Sequence, residues 1–217
     1  MTHAVLLTGG GDLRDPWHPF RETAGCIASV LAEAGVRTSV VDTVRGFADA
    51  VAAGPALVVV QTSNDSTPSP GDAPVLEAIR AHLAAGRPLL AVHAAAILFP
   101  DRPEWERALG GRWVAGASWH PELGPARVRL EPHPITAGLA EVEVVDERYT
   151  DLRVAPEVAV LAWHEERGAR HPLAWAHEPD DARVVYDALG HDTRSYDSPT
   201  RRALLAREVR WLLALAE

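Results

Sequence analysis

The segment RPLLAVHAAA, residues 87–96, constrains the fold of this chain more than any other stretch. Residues 89–92 form an apolar run without polar alternation, which is typical of a strand buried on both faces of a parallel sheet. His93 follows this run directly, so we expect it at the carboxyl end of the strand, where open α/β sheets bind their ligands. The segment therefore predicts a layered α/β fold with a histidine at its ligand edge.

The alanines after His93 predict that a helix begins there, in a turn like a nucleophile elbow with an imidazole at its tip. The free N–H groups of such a helix start would favour negative charge on a ligand or intermediate. A simpler interpretation is a histidine that only makes a hydrogen bond to a neighbouring loop. The local pattern leaves both interpretations open.

Strand and helix patterns alternate along the rest of the chain, which implies right-handed crossovers and a parallel sheet. Buried strands are predicted at 4–8, 36–41 and 56–60, and helices at 20–34, 44–53 and 74–85. Later strands are predicted at 127–131, 142–145, 158–163, 172–176 and 183–189, with a closing helix at 200–216. The four arginines of that helix are predicted to form a solvated face. With 217 residues, 47% of them hydrophobic, the chain fits a single domain over 1–217.

Charge and cysteine content exclude several classes of function. A net charge of -9 argues against binding to nucleic acid, since phosphate binding needs clustered positive charge. No apolar run is long enough to span a bilayer and no signal peptide precedes the first strand, so we expect a cytoplasmic protein without a membrane partner. Cys26 is the only cysteine, so no internal disulfide can form.

A glycine triplet, residues 9–11, follows the first predicted strand and permits a tight turn and close approach of a ligand to the backbone. It looks superficially like a phosphate loop, but neither GxGxxG nor the Walker Lys-Ser/Thr pair is present. Gly10 is therefore a candidate for substrate contact rather than for nucleotide binding. His18 lies further along the same loop, on the same predicted rim as His93.

Ionisable side chains that could carry chemistry fall in predicted loops or at strand ends: His18, His93, His120, His191, Asp146 and Glu147. Imidazole can act as base, acid or metal ligand near neutral pH. Two or three histidines with one carboxylate would also bind a catalytic divalent metal such as zinc, for which His18, His93 and His120 are the candidate ligands. No HExxH pattern supports a metal, and the missing elbow cysteine and GxSxG motif disfavour covalent acyl chemistry.

An ordered set of stretches covers nearly the whole chain: LLTGGGDLRDPWH, RPLLAVHAAA, LGGRW, HPIT, DERY, HPLAWAH and RVVYDALGHD, followed by an arginine-rich helix. In this order and spacing they resemble the trehalose-utilisation, ThuA-like family. The resemblance implies a flavodoxin-like three-layer α/β sandwich with a mainly parallel sheet, related to class I glutamine amidotransferases. The elbow cysteine of those enzymes corresponds here to His93, so glutaminase activity is not implied.

The resemblance also implies a set of site residues. Catalytic roles are expected for His93, Glu147, Asp146 and His191, and substrate contacts for Gly10, His18, His120, Tyr149 and Trp119. Trp119 stands where the family often has glycine, which separates the role of His120 from the family pattern. The family is associated with catabolism of trehalose and related disaccharides through keto-sugar intermediates.

Three functional hypotheses follow. The first is an enzyme that acts on a sugar or keto-sugar as an isomerase, lyase or hydrolase, with His93 or Glu147 moving a proton next to a carbonyl. The second is a sugar-binding or regulatory module without catalysis, and the third is metal-dependent hydrolysis. A homodimer is compatible with each. Pyranose faces could pack on tryptophan, or the tryptophans could lie in the core: Trp105, Trp113, Trp119 and Trp175.

Overall fold

The computed structural model describes residues 2–64, 68 and 71–215. The strands in these ranges are β1 (His3–Thr8), β2 (Arg37–Val41), β3 (Leu57–Gln61), β4 (Leu89–Val92), β5 (Gly111–Arg112), β6 (Gly124–Leu130), β7 (Glu141–Asp146), β8 (Arg153–Val154), β9 (Ala159–Glu166), β10 (Ala169–His177) and β11 (Val184–Asp187). The α-helices are α1 (Phe20–Glu33), α2 (Val44–Ala52), α3 (Asp72–Ala84), α4 (Pro103–Leu109) and α5 (Pro199–Leu212). Residue 216, the predicted end of the last helix, lies outside the described residues.

A nine-stranded sheet in the order β2-β1-β3-β4-β11-β10-β9-β6-β7 runs through the molecule. Its first five strands are mutually parallel, and the remaining four extend it in antiparallel fashion. β3, β4 and β11 are buried along their whole length, as their apolar sequences predict. The turn between β9 and β10 has positive φ at Arg167 and Gly168, the conformation of a type I′ hairpin turn.

Helices cover both faces of the parallel half of the sheet. α1 packs against α5, and α2 packs against α3. This arrangement is the three-layer α/β sandwich expected from the sequence. In the described parts of the chain, no helix combines the length and apolar composition that crossing a bilayer requires.

Three expectations from the sequence are wrong. His93–Ile97 form a 3₁₀ turn of five residues, so no α-helix start with free N–H groups lies beside His93. Arg201 is fully buried rather than solvated, because its guanidinium lies 2.9 Å from the Asp187 carboxylate. Trp105 and Trp175 belong to the core, where their indole N–H groups donate to backbone carbonyls, and present no face to a sugar.

Candidate functional site

A pocket of about 410 Å³ opens at the carboxyl edge of the sheet. It is lined by Trp17, His18, Ile97, Trp113, His120, Glu147, Tyr149 and His191. His93 lies at its floor and is 1% exposed. A larger surface groove of about 570 Å³ runs beside β6 and β7, but none of its described lining residues is a histidine, so the chemistry-bearing residues favour the smaller pocket.

His93 adopts the strained backbone of an elbow. Val92 is still extended, and His93 has a φ of 49°, in the left-handed region that costs a non-glycine residue about 1–2 kcal/mol. Tyr186 holds this turn by donating its hydroxyl hydrogen to the His93 carbonyl at 2.9 Å. The His93 ring donates from Nδ1 to the Ala188 carbonyl at 2.6 Å, because a carbonyl oxygen can only accept. Its Nε2 atom therefore presents a lone pair to the pocket.

His18 approaches from the loop after β1. Its Nδ1 atom lies 2.7 Å from the Asp15 carboxylate, which also accepts the backbone N–H groups of Trp17 and His18. Burial alone would raise the pKa of Asp15, but the hydrogen bonds and charge of His18 lower it, so Asp15 is a carboxylate at neutral pH. Burial lowers the pKa of His18 despite its contact with Asp15. The Nε2 atom of His18 lies 3.2 Å from Nε2 of His93.

Glu147 joins three histidines. Its Oε2 atom lies 3.6 Å from Nε2 of His93 and 3.2 Å from Nδ1 of His191, and its Oε1 atom lies 3.6 Å from Nε2 of His120. Burial would raise the pKa of Glu147, but hydrogen bonding and charge from His191 and His93 lower it far below the usual range. Burial would lower the pKa of His191, and its contact with Glu147 raises it instead. Glu147 and His191 thus form an ion pair near neutral pH.

Tyr149 and Asp146 frame this ion pair differently. The Tyr149 hydroxyl lies 3.1 Å from Nε2 of His93, and burial raises the pKa of Tyr149 well above its usual value, so the phenol stays a donor. Asp146 is fully buried and accepts the backbone N–H groups of Glu147, Gly190 and His191 at 2.7–3.1 Å. Its carboxylate fastens the two loops that carry Glu147 and His191, behind the pocket wall.

Two predicted substrate contacts lie outside the pocket lining. Gly10 is exposed and its backbone N–H donates to Leu13, within a turn in which Gly9 abuts the Phe20 ring and leaves no room for a side chain. The Trp119 indole donates to the Asp151 carboxylate and stacks under the Arg167 guanidinium at 4.1 Å. The glycine triplet is therefore used for packing within the chain, and substrate contact by Gly10 or Trp119 stays a prediction.

Three site residues carry no signal in the sequence strong enough to find them. Asp15 and Trp17 sit in a loop whose shape is not encoded by periodicity, and Ala188 contributes only its carbonyl. A carboxylate three residues before His18 is the available clue, since that spacing allows a side chain to turn back onto the ring. The other predicted groups converge: His18, His93, His120, Glu147, Tyr149 and His191.

Four of these groups form what we call the His/Glu cluster, defined as His18, His93, Glu147 and His191. One ligating atom from each lies within 4.8 Å of the others. Together with the Tyr149 donor they make a polar floor beneath a partly aromatic pocket. Such a floor can hold a cation or polarise an oxygen atom of a ligand.

Comparison with known proteins matches the arrangement to a family. The family described as ThuA, trehalose utilisation, matches residues 15–212. A ThuA-like protein from Parabacteroides merdae is similar in structure, with a TM-score of 0.80, 18% identity, and coverage of 98% of this chain and 90% of that one. No protein of curated function matches the sequence.

Two further structures share the fold. A GMP synthase protein from Thermoplasma acidophilum has a TM-score of 0.61 and 15% identity, covering 99% of this chain and 94% of that one. A cytoplasmic protein from Salmonella typhimurium has a TM-score of 0.65 and 14% identity, covering 99% and 98%. The fold is thus that of glutamine amidotransferases. With a family match over nearly its full length, the chain belongs to the ThuA trehalose-utilisation family.

Proposed function

We propose that this protein is an enzyme of carbohydrate catabolism that acts on a trehalose-type disaccharide or its keto derivative. The chemistry is acid/base catalysis assisted by a divalent metal. The observation that carries the proposal is His93 at a strained elbow, surrounded by the polar groups of the His/Glu cluster and Tyr149. Membership of the trehalose-utilisation family supports the sugar substrate, and the name of the Salmonella neighbour supports a cytoplasmic location.

Glutaminase activity is excluded from the proposal because the one cysteine of the chain lies outside the pocket. The elbow carries an imidazole, and Cys26 lies in α1, where burial raises the pKa of its thiol. A thioester with glutamine needs a reactive thiolate next to the substrate carbonyl. The fold is therefore retained with a different chemistry at the same edge.

A keto group makes the neighbouring C–H acidic, so a base and a polarising group are sufficient for reaction. We assign carbonyl polarisation to the floor, with His93, His191 and the Tyr149 hydroxyl facing the oxygen. We assign proton removal to His120, which is 38% exposed at the pocket mouth, with Glu147 beside it to stabilise the positive charge that the ring gains.

The electrons of the broken C–H bond then have two outcomes. Return of the proton to the other side of the enolate gives isomerisation. If a glycosidic oxygen lies β to the carbonyl, those electrons form a C=C bond, the C–O bond breaks, and the departing oxygen takes up a proton from His120. Trp17 and Trp113 form pocket walls against which the apolar faces of a pyranose can pack.

The test is turnover of a 3-keto-disaccharide, followed by chromatography and by exchange of the adjacent C–H with deuterated water. His93→Ala is expected to lower kcat/KM by about 10²- to 10⁴-fold, a range typical of losing an acid/base or polarising group. His3→Ala is the matched control, since His3 begins β1 at the opposite edge of the sheet and its ring contacts Ser39. Wild-type rates in His93→Ala would remove His93 from the mechanism.

A sugar-binding or regulatory module is the second candidate, favoured by the missing nucleophile and by the 57% exposed Trp17 at the pocket rim. It predicts that the disaccharide binds without turnover or isotope exchange. It also predicts that Glu147→Gln leaves the sugar affinity close to that of the wild type. Loss of both binding and turnover in Glu147→Gln would favour the enzyme.

A further inference from the structure

The imidazole rings of His18 and His93 face each other through atoms that both carry lone pairs. Their Nε2 atoms are 3.2 Å apart. In each ring the Nδ1 atom meets an oxygen that only accepts, the Asp15 carboxylate for His18 and the Ala188 carbonyl for His93. The hydrogen of each neutral ring is therefore on Nδ1. Two facing lone pairs repel each other unless a proton or a cation lies between them.

Glu147 and His191 complete a ring of donors around the same point. The Nδ1 atom of His191 is buried and makes no hydrogen bond, although Glu147 Oε2 lies 3.2 Å away. A tetrahedral zinc with bonds of about 2.0–2.2 Å keeps its ligand atoms about 3.3–3.6 Å apart. The separations between neighbouring atoms of the cluster are 3.2, 3.2 and 3.6 Å, so the cavity between them has the size of such an ion.

We propose that the His/Glu cluster binds a divalent transition-metal ion, with zinc as the best match. Three imidazole nitrogens and one carboxylate suit zinc, whereas magnesium and calcium prefer oxygen ligands. His120 is not a ligand, because it meets only the outer oxygen of Glu147 and is more exposed than the cluster. The ligand set thus differs from the one expected from sequence: His191 and Glu147 replace His120.

Asp15 is a positioning residue for this site. It is 1% exposed and holds the Nδ1 hydrogen of His18, which leaves Nε2 free to ligate. Such carboxylate–histidine–metal pairs fix the ring and raise the basicity of the ligand, and losing them costs about 10- to 100-fold in metal affinity. The Ala188 carbonyl serves His93 in the same way.

The ion deepens the proposed function and rests on it for its catalytic meaning. Zinc accepts a fifth ligand during reaction, and the open side of the cluster faces the pocket. A keto oxygen placed there would be polarised more strongly than by hydrogen bonds alone. His120 would remain free to move the proton.

The experiment measures metal binding without a sugar, so it does not depend on the substrate. Full-length protein is stripped with a chelator and titrated with Zn²⁺ against a chromophoric competitor, and with Co²⁺ to record the visible spectrum. We expect about one equivalent of either ion, and a Co²⁺ spectrum of tetrahedral or five-coordinate type. His93→Gln and Glu147→Gln should lower the affinity at least 100-fold, whereas His3→Gln should not change it.

Asp15 is tested by a conservative pair of variants. Asp15→Asn should weaken Zn²⁺ binding about 10- to 100-fold while the Co²⁺ spectrum keeps its form, and Asp15→Glu should restore part of the affinity. Circular dichroism confirms that each variant is folded. In the wild type, Zn²⁺ should also raise the Tm and Mg²⁺ should not, and this shift should disappear in Glu147→Gln.

Several outcomes would overturn the metal site. One is wild-type protein that binds Zn²⁺ no better than His93→Gln, which would mean that a proton alone separates the two rings. Another is an equal loss of affinity in His3→Gln, which would place the ion elsewhere. Keto-sugar turnover by metal-free protein would refute the ion while leaving the enzyme, and metal binding without turnover would do the reverse.

Discussion

The backbone of His93 stores strain that can be measured. At a φ of 49°, alanine suffers the same clash between Cβ and backbone as histidine, whereas glycine does not. We expect His93→Gly to be more stable than His93→Ala by about 1 kcal/mol, because relief of the clash exceeds the extra chain entropy of glycine. Urea denaturation of the two variants measures the difference. Equal midpoints and slopes would show that the elbow relaxes once the imidazole is gone.

His164 makes stability depend on pH. It is 1% exposed, and burial together with the nearby positive charge of Arg148 lowers its pKa from 6.5 to about 4. The folded state favours the neutral ring, so the unfolded state takes up the proton first on acidification. The free energy of unfolding gains this contribution fully above pH 6.5 and loses at most about 3 kcal/mol of it as the pH falls to 4.

A variant separates this contribution from that of other buried histidines. His164→Gln should flatten the decrease of the unfolding free energy between pH 6.5 and 4, as followed by urea titrations at several pH values. The decrease should persist in part, since burial also lowers the pKa of His82 and His133. An unchanged slope in His164→Gln would contradict the assignment.

Two tryptophans that look alike in the sequence have opposite surroundings. Trp17 is 57% exposed at the pocket, and Trp105 is 1% exposed in the core. Trp17→Ala should raise the KM for a keto-disaccharide several-fold with no change in Tm, because it removes a wall but no core contact. Trp105→Ala should cost about 3–5 kcal/mol of stability. A stable Trp105→Ala, or a Trp17→Ala with unchanged KM, would reverse these assignments.

At the residue scale, most of the site can be identified from sequence. Histidines and a Glu after apolar strands predict a shared edge, since parallel strands end together, and His18, His93, Glu147 and His191 do meet there. The contacts of Asp15 could not be predicted, because they depend on a loop folding back within one turn. The burial of Asp146 could not be predicted either, since a run of charged residues more often lies in solvent.

Helix α5 is attached to strand β11 by a buried charge. Arg201 lies 2.9 Å from Asp187, both are fully buried, and its guanidinium also donates to the Leu189 carbonyl. We expect Arg201→Met to cost about 3–5 kcal/mol, since it leaves the Asp187 carboxylate without its partner. Arg45→Gln, which removes an exposed pair with Asp49, should leave the urea midpoint unchanged. A stability of Arg201→Met equal to that of the wild type would show that Asp187 is neutral.

At the element scale, the parallel half of the sheet follows from its apolar runs, and most of its strands agree with prediction to within one or two residues. The antiparallel half is visible in the sequence only as alternation in β6 and cannot be ordered, because pairing between distant strands depends on contacts far apart in sequence. The alanines after His93 predict an α-helix because alanine favours helix. The 3₁₀ turn of five residues ends instead at Leu98, which is fully buried in the core.

As a whole, the molecule should unfold in one transition. The single large sheet joins strands from both halves of the chain, since β4 pairs with β3 on one side and with β11 on the other. Calorimetry should give one peak with equal calorimetric and van't Hoff enthalpies and a heat-capacity change of about 3 kcal/mol/K. Two resolved peaks would mean that the antiparallel half folds separately, contrary to the single domain predicted over 1–217.

The divided origin of the His/Glu cluster allows a use as a reporter of association. His18 and His93 precede the exposed turn at Gly116, and Glu147 and His191 follow it. Two polypeptides separated at that turn would each carry half of the donor set, and neither half alone could assemble it. The visible spectrum of bound Co²⁺ would then appear only when the fragments recombine, which would convert the pocket into an optical gauge of complementation.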